Sequence, residues 1–281
     1  MKYFRDKVVL VTAAGSGIGL ACAKAYAAAG AHLHMVDIRA DRLEQAVQEV
    51  QAPGGAGRIW THVLNCSDEE AVRALAEDVY GESGRVDVLQ NGVGVLMGGP
   101  VEELSLEQWR RSVEVNLWST IASINLFLPR MLAQGGESHI VNIASISGLV
   151  AFPFTAPYTT AKFALVGLSE ALAAELCGRG IRVTVVCPGA VRTNIINDGT
   201  LALPGGWKER IVRTYSRHAA PPDRVARQVL RAVVRRRPLL IPTREGLPLW
   251  WLKRFSTTLY DATVRRATRL LREMDARRHK E

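Results

Sequence analysis

The stretch from Lys7 to Asp37 restricts the possible folds more than any other. Lys7-Val8-Val9-Leu10-Val11-Thr12 is short, apolar and β-branched, and reads as a buried strand. Thr12-Ala13-Ala14-Gly15-Ser16-Gly17-Ile18-Gly19 follows at once. Residues 20–29 are alanine-rich and helix-forming, and Gly30 stops them. In a strand, glycine turn and helix, the backbone can approach a pyrophosphate closely, and the helix start offers it free N–H groups. A tight turn with glycines for packing alone would read the same. The next segment, residues 31–37, alternates like a strand and ends in Asp37, eighteen residues after Gly19. A carboxylate there can accept from the ribose hydroxyls of an adenosine and would repel a 2′-phosphate. No basic residue stands at Ser16, so the spacing predicts NAD rather than NADP. Arg39 is the competing feature, and Asp37 could instead be the N-terminal acid of a helix over 39–50.

Tyr158 and Lys162 lie four residues apart, with Ser145 thirteen residues before the tyrosine. On a helix that spacing projects both side chains from one face. An ammonium beside a phenol favours the phenolate, which makes a proton donor or acceptor usable near neutral pH. The serine hydroxyl can bond the same substrate oxygen. Six Tyr and seven Lys in 281 residues give roughly 0.15 such pairs by chance, so the pair alone also fits an ordinary surface contact.

Taken together and in order, these residues resemble the short-chain dehydrogenase/reductase family over about residues 5–195. Residues 12–19 match its nucleotide turn, and Asn91-Gly92-Val93-Gly94 stands where Asn-Asn-Ala-Gly is usual. Asn116, Ser145, Tyr158 and Lys162 match its catalytic set, and Pro188-Gly189 with Thr193 matches its nicotinamide loop. The resemblance implies a Rossmann-type, doubly wound parallel α/β sheet of about seven strands with helices on both faces. It makes Tyr158 the general acid/base, Ser145 the group that positions and polarises the substrate oxygen, and Lys162 the residue that lowers the tyrosine pKa and binds the nicotinamide ribose. Asn116 holds a relay water. Implied cofactor contacts are Thr12, Gly15, Ser16, Gly17, Ile18 and Gly19 in the turn, then Asp37, Ile38, Asn65 and Cys66. Asn91, Gly92, Val93, Tyr158, Lys162, Pro188, Gly189, Val191 and Thr193 complete them. Gly92 departs from the usual asparagine and puts one central hydrogen bond in doubt. Asn65-Cys66 replaces a frequent Asp-Val, although the Asn65 carbonyl oxygen can still accept from the adenine amino group. Ser147 would share a strand face with Ser145.

The length suits one α/β core. Further strands are expected over 86–91, 138–144 and 182–188, alternating with helices, which implies parallel order and right-handed crossovers. Cys22, Cys66, Cys177 and Cys187 show no paired spacing and read as small buried hydrophobes in a reducing compartment. His32 and His34 share a strand face and could bind a metal, but no ligand cluster is visible and no metal is expected. The charged opening residues do not read as a secretory signal, and no run is long enough to cross a membrane. A cytoplasmic location, with peripheral membrane contact as an option, is expected.

Charge is unevenly divided. Residues 1–206 carry 16 basic and 20 acidic side chains, residues 207–281 carry 20 basic and 7 acidic. Residues 1–246 are expected to form the cofactor and catalytic domain, with a lid over about 194–220. Residues 222–237 read as a helix and 238–242 as a proline-flanked edge strand. Residues 247–281 read as a basic helical extension, in which Tyr260, Val264, Ala267, Leu271 and Met274 make an apolar seam beside Arg265, Arg266, Arg269 and Arg272. That extension can pack on its own core or a partner subunit, lie on an anionic membrane, or dock an acidic partner. No nucleic-acid module is visible. The substrate pocket is expected at the carboxyl ends of the strands, walled by Leu96, Met97, Ser147, Leu149, Phe152, Phe154, Ile195, Ile196, Leu201 and Trp207. These walls favour a bulky apolar alcohol or ketone, with no charged anchor for a carboxylate. The expected function is NAD-dependent alcohol–ketone interconversion. The rivals are an NADPH-dependent 3-oxoacyl reductase acting on carrier-protein or CoA thioesters and a non-catalytic nucleotide sensor. The family resemblance implies a homo-oligomer, dimer or tetramer.

Overall fold

The fold is that of a computed structural model, which describes residues 2–51, 57–201 and 219–278, without the side chains of 270, 271 and 273–278. The strands are β1 (Val8–Thr12), β2 (His32–Asp37), β3 (Ile59–Val63), β4 (Val88–Asn91), β5 (Met97–Gly98), β6 (Ser138–Ile143), β7 (Ile181–Val186), β8 (Thr200–Leu201) and β9 (Leu239–Leu240). Seven of them form one parallel sheet in the order β3-β2-β1-β4-β6-β7-β9, while β5 and β8 pair separately. The helices are α1 (Gly17–Ala28), α2 (Ala40–Gln51), α3 (Glu69–Ser83), α4 (Leu106–Val113), α5 (Ser119–Ala133), α6 (Ala156–Glu175), α7 (Pro222–Val234), α8 (Leu247–Phe255) and α9 (Thr257–Arg278).

All five residues of β1 are buried because both faces of the sheet are covered. Alternation divides them: Val9 and Val11 join Leu33 and Met35 in a core with Cys22, Tyr26 and, from α7, Val225 and Val229. Leu10 joins Val36, Leu89 and Ile140 in a second core with Leu75 and Val79 of α3 and Phe127 of α5. Strand order reverses between β1 and β4, which opens a crevice beyond their carboxyl ends. A polar ladder crosses the centre of the sheet: Asn91 Nδ2 donates to Asn142 Oδ1 at 2.9 Å, Asn142 Nδ2 to Ser169 Oγ at 3.0 Å, and Ser169 Oγ to Leu165 O at 2.7 Å.

Local chemistry sets the ends of the elements. Asp68 caps α3 through the N–H groups of Glu70 and Ala71, and Gly84 ends that helix with φ 70°. Ser105 and Gln108 form a reciprocal capping box on α4. The edge strand β9 is shorter than expected, two residues, because the flanking Pro238 and Pro242 have no N–H to give to a ladder. Cys22, Cys66 and Cys187 are buried as expected, but Cys177, just past α6, is exposed. Among the described residues, no helix is long and apolar enough to cross a membrane.

Candidate active site

A cleft of about 1290 Å³ opens at the carboxyl ends of the central strands, with the glycine turn on one side and α6 on the other. On the turn side, Ser16 precedes α1 in extended conformation and makes no side-chain cap bond. Gly19 allows the turn to close: a Cβ there would stand 2.0 Å from Ala13 O. Asp37 is buried at the end of β2. Its Oδ2 accepts from Gly15 N at 2.9 Å and its Oδ1 from Arg39 N at 3.0 Å, so the carboxylate is anchored to the turn. The Arg39 guanidinium is engaged by Asp41 through two bonds of 2.9 and 2.7 Å. Arg42, whose role the sequence did not disclose, makes a bidentate pair with Asp198 at 2.7 and 3.0 Å, strapping α2 to the segment after Thr193. Asn65 Oδ1 already accepts from Ser67 N at 3.0 Å. Ser16, Gly17, Ile18, Gly19, Asp37, Ile38, Asn65, Cys66, Gly92, Val93, Pro188, Gly189, Val191 and Thr193 line the cleft, whereas Thr12, Gly15 and Asn91 lie behind it. Thr12 Oγ1 instead accepts from Gly92 N at 2.9 Å. A residue with a Cβ at Gly92 would place that atom 2.7 Å from Thr12 O, so glycine at this departure fits a close strand approach.

On the opposite side, Ser145 follows β6 in extended conformation and Tyr158 and Lys162 share one face of α6, four residues apart. All three are buried and all three line the cleft. Lys162 Nζ donates to Ile143 O at 3.3 Å and lies 5.7 Å from the centre of the Tyr158 ring. Burial pushes the Lys162 pKa down to about 8, so its ammonium is labile close to neutral pH. Asn116 does not line the cleft but sits directly behind it, in a π-helical turn at Glu114–Trp118. Its Oδ1 accepts from Val95 N at 3.1 Å, and its Nδ2 donates to Val95 O at 3.0 Å and Ser112 O at 2.9 Å. Gly94 separates it from Lys162: a Cβ there would be 2.9 Å from Asn116 Oδ1 and 3.1 Å from Lys162 Nζ.

The expected apolar walls are partly redistributed. Leu96, Ser147, Phe152, Phe154, Ile195, Ile196 and Leu201 line the cleft. Ser147 does so from a 3-10 turn, Ile146–Gly148, rather than from a strand, and its N–H donates to Ser145 Oγ at 3.1 Å. Met97 is buried in the β5–β8 pairing and does not face the cleft. Leu149 also stays outside it and packs on the core beside Leu165. Phe154 holds φ 62°, an uncommon value for a bulky residue, and its carbonyl accepts from Gly99 N at 2.8 Å. Trp207, with most of the expected lid, lies outside the described residues. The cleft is less apolar than the sequence suggested, because Glu107, Arg110, Arg111 and Glu114 of the α4 region also border it.

The extension returns to the loop between Ser145 and Tyr158, just outside the cleft lining. Tyr260 Oη accepts from Ala151 N at 2.8 Å and donates to Ala151 O at 3.2 Å. Lys253 Nζ donates to Leu149 O at 2.9 Å and sits 4.4 Å from the centre of the Phe163 ring. Tyr260 and Val264 of the expected seam are half-buried, but Ala267 is exposed. Leu271 and Met274 have no described side chain.

A doubly wound parallel sheet, a glycine turn tied to the acid that ends β2, and a buried Ser-Tyr-Lys set across the cleft define a dinucleotide-binding α/β protein. The description "short chain dehydrogenase" belongs to the family model that matches residues 7–201, and the chain belongs to that family. A Mycobacterium tuberculosis protein named "Probable oxidoreductase EphD" is 32% identical over 270 residues, covering 94% of this chain. The chain spans 45% of that relative's length. The 1-deoxy-11-beta-hydroxypentalenate dehydrogenase of Streptomyces exfoliatus is 35% identical over 196 residues, covering 69% of this chain and 70% of the relative. The solved structure of a short chain dehydrogenase/reductase from Burkholderia phymatum in complex with NAD is 28% identical and has a TM-score of 0.85, covering 92% of this chain and 96% of that one.

Proposed function

We propose that the chain is an NAD-dependent oxidoreductase that interconverts a bulky lipophilic secondary alcohol and its ketone. The observation that carries this reading is the convergence of Ser145, Tyr158 and Lys162 on the cleft whose other wall is the glycine turn and Asp37. The turn fits a dinucleotide, since its backbone is held against Asp37 and the start of α1 is left uncapped by side chains. Nicotinamide dinucleotide, when bound, supplies the hydride acceptor or donor. Ser145 bonds the substrate oxygen and aligns it. Tyr158 takes the hydroxyl proton when the alcohol is oxidised and returns it when the ketone is reduced. Lys162 steadies the phenolate, holds the nicotinamide ribose and passes the proton on, which its lowered pKa near 8 suits. Asn116 fixes Val95 beside this pair and, as in the family, would hold the relay water.

NAD is favoured over NADP because Asp37 faces the turn and the nearest guanidiniums, Arg39 and Arg42, are each engaged by a carboxylate. Titration with NADH and NADPH separately, followed by tryptophan quenching, tests this. Tighter NADH binding is expected, and tighter NADPH binding would overturn the assignment. Tyr158→Phe should lower turnover by a factor of at least about 100 while sparing cofactor binding. Unaltered turnover would overturn the acid/base role and favour a nucleotide sensor on the same fold. The second reading, a 3-oxoacyl thioester reductase, draws on Arg110 and Arg111 at the cleft, which could receive an acidic carrier or phosphate.

The extension belongs to the same proposal. Trp251 stacks on Phe255 at 5.6 Å, and both are exposed with Leu259 beside Arg254 and Arg265. That combination suits peripheral contact with an anionic membrane that carries a lipophilic substrate. Assembly as a dimer or tetramer through the helices that follow β4 and β6 completes the reading.

A further inference from the structure

His34, His62 and Glu82 come together at the edge of the sheet, well away from the catalytic set. The register places Trp60 opposite His34, and His62 two residues further along β3 on the same face. The end of α3 covers that face and brings Glu82 and Ser83. His34 Nδ1 lies 3.0 Å from His62 Nε2 and 3.6 Å from Glu82 Oε2, and His62 Nε2 lies 3.9 Å from the same oxygen. From these sides, the three atoms share a centre roughly 2.1 Å from each, a zinc–nitrogen or zinc–oxygen bond length.

We propose that His34, His62 and Glu82 form a binding site for a divalent transition-metal ion of the zinc type, with a water as fourth ligand.

Hydrogen bonding presets the first ligand. Ser83 Oγ has two backbone carbonyls for its one proton, Val79 O at 2.7 Å and Arg85 O at 3.1 Å, so at 3.1 Å it accepts from His34 Nε2. The proton of His34 therefore sits on Nε2, and Nδ1 presents a lone pair toward His62 and Glu82. Metal-bound imidazoles are oriented by this kind of second hydrogen bond. Trp60 stacks on His34 at 4.4 Å and 3° and fixes the plane of the ring. His34 is fully buried, His62 nearly so, and Glu82 is open enough to admit an ion from solvent. Burial lowers the pKa of both histidines, so protons do not compete for them at neutral pH. The carboxylates of Glu82 and Asp78 and the negative end of the α3 dipole all favour a cation here. Two imidazoles and one carboxylate suit zinc, cobalt or nickel better than calcium or magnesium. Binding would displace the His62 proton that otherwise lies between the two rings, leaving the ion to join β2, β3 and α3.

The test uses the full chain, stripped with a chelator and titrated at pH 7.5 with Zn²⁺ against a chromophoric competitor, and separately with Co²⁺ followed by its visible absorption. One Zn²⁺ per chain at micromolar or tighter Kd is expected, with a four-coordinate Co²⁺ spectrum. Glu82→Gln, at an accessible position, and His62→Gln should each weaken binding at least tenfold, and Ser83→Ala should weaken it about tenfold through the lost orientation of His34. NADH binding, measured on every variant, verifies that it is folded. Absence of stoichiometric Zn²⁺ binding in the parent chain would overturn the proposal, and so would unchanged affinity in Glu82→Gln and His62→Gln. No arm uses turnover, so the outcome is independent of the proposed oxidoreductase activity.

Discussion

Lys162 carries an amine that is almost wholly buried at the edge of the cleft, and its protonation should be visible in stability. Its pKa in the fold is about 8, lowered by burial from an ordinary 10.5. Between those values the unfolded chain binds the extra proton, so stability rises with pH across that window and is lost as pH falls through 8. The penalty below pH 8 is roughly 3 kcal/mol. Cofactor-free Lys162→Met should therefore be more stable than the parent at pH 7, with the gap closing from pH 8 to 10.5. A gap independent of pH in denaturant titrations would contradict this origin. Gly92 makes the opposite kind of demand, for space. Gly92→Asn restores the residue usual in the family, yet its Cβ would stand 2.7 Å from a backbone carbonyl. We expect a loss of about 1–3 kcal/mol, read as a lower midpoint in urea. The convergence of Ser145, Tyr158 and Lys162 on one cleft was readable in the sequence because their spacing along one chain segment already encodes their geometry. The partner of Arg42 was not, since Asp198 lies 156 residues away and only the fold joins them.

Among the elements, β6 and β7 share a buried polar contact that should set the acid limit of the sheet. His139 lies 2.7 Å from Thr184 Oγ1, which itself donates to Arg237 O at 2.6 Å. Burial lowers the His139 pKa from 6.5 to about 4. The neutral ring is thus a condition of the fold: its contribution is complete above pH 6.5 and lost as pH falls through 4, roughly 3 kcal/mol in all. His139→Gln should flatten the stability profile between pH 6.5 and 4, as measured by thermal unfolding. An unchanged slope would place the acid sensitivity elsewhere. At this scale the sequence was informative wherever period and punctuation agreed, as in β1, α1 and α6. It failed where a segment's shape depends on neighbours. Ser147 read as a strand residue because it alternates with Ser145, but the chain turns there to pack Gly148 against α6, where a Cβ would meet Lys162 O at 2.5 Å. Met97 read as pocket wall until its pairing with Thr200 turned it inward. The histidine cluster was invisible for the same reason, because it depends on the register of β2 against β3.

Across the whole molecule, positive charge concentrates in the last quarter, where Trp251, Phe255 and Leu259 are also exposed, and their purpose is open to a direct trial. Trp251→Ser with Phe255→Ser removes the two stacked exposed rings while leaving the bonds of Lys253 to Leu149 and of Tyr260 to Ala151. If the extension lies on a membrane, the double variant should lose co-sedimentation with vesicles containing phosphatidylserine by about tenfold or more, at unchanged NADH affinity. Equal sedimentation of both proteins would refute the membrane reading and return these helices to a packing role. Composition disclosed the basic extension, but not that it folds back to the loop between Ser145 and Tyr158.

That return has a consequence in time. Ala151 waits for Tyr260, 109 residues later in the chain, before its N–H and carbonyl find their partner. A chain made at about 5–20 residues per second adds that stretch over on the order of ten seconds. The glycine turn, Asp37 and Ser145 precede that interval, whereas Tyr158, Lys162 and the segment from Pro188 to Thr193 are made within it, so one side of the cleft is synthesised well before the other is buttressed. Synthesis of this protein therefore delivers the glycine turn early and the contact that ties down the loop between Ser145 and Tyr158 late.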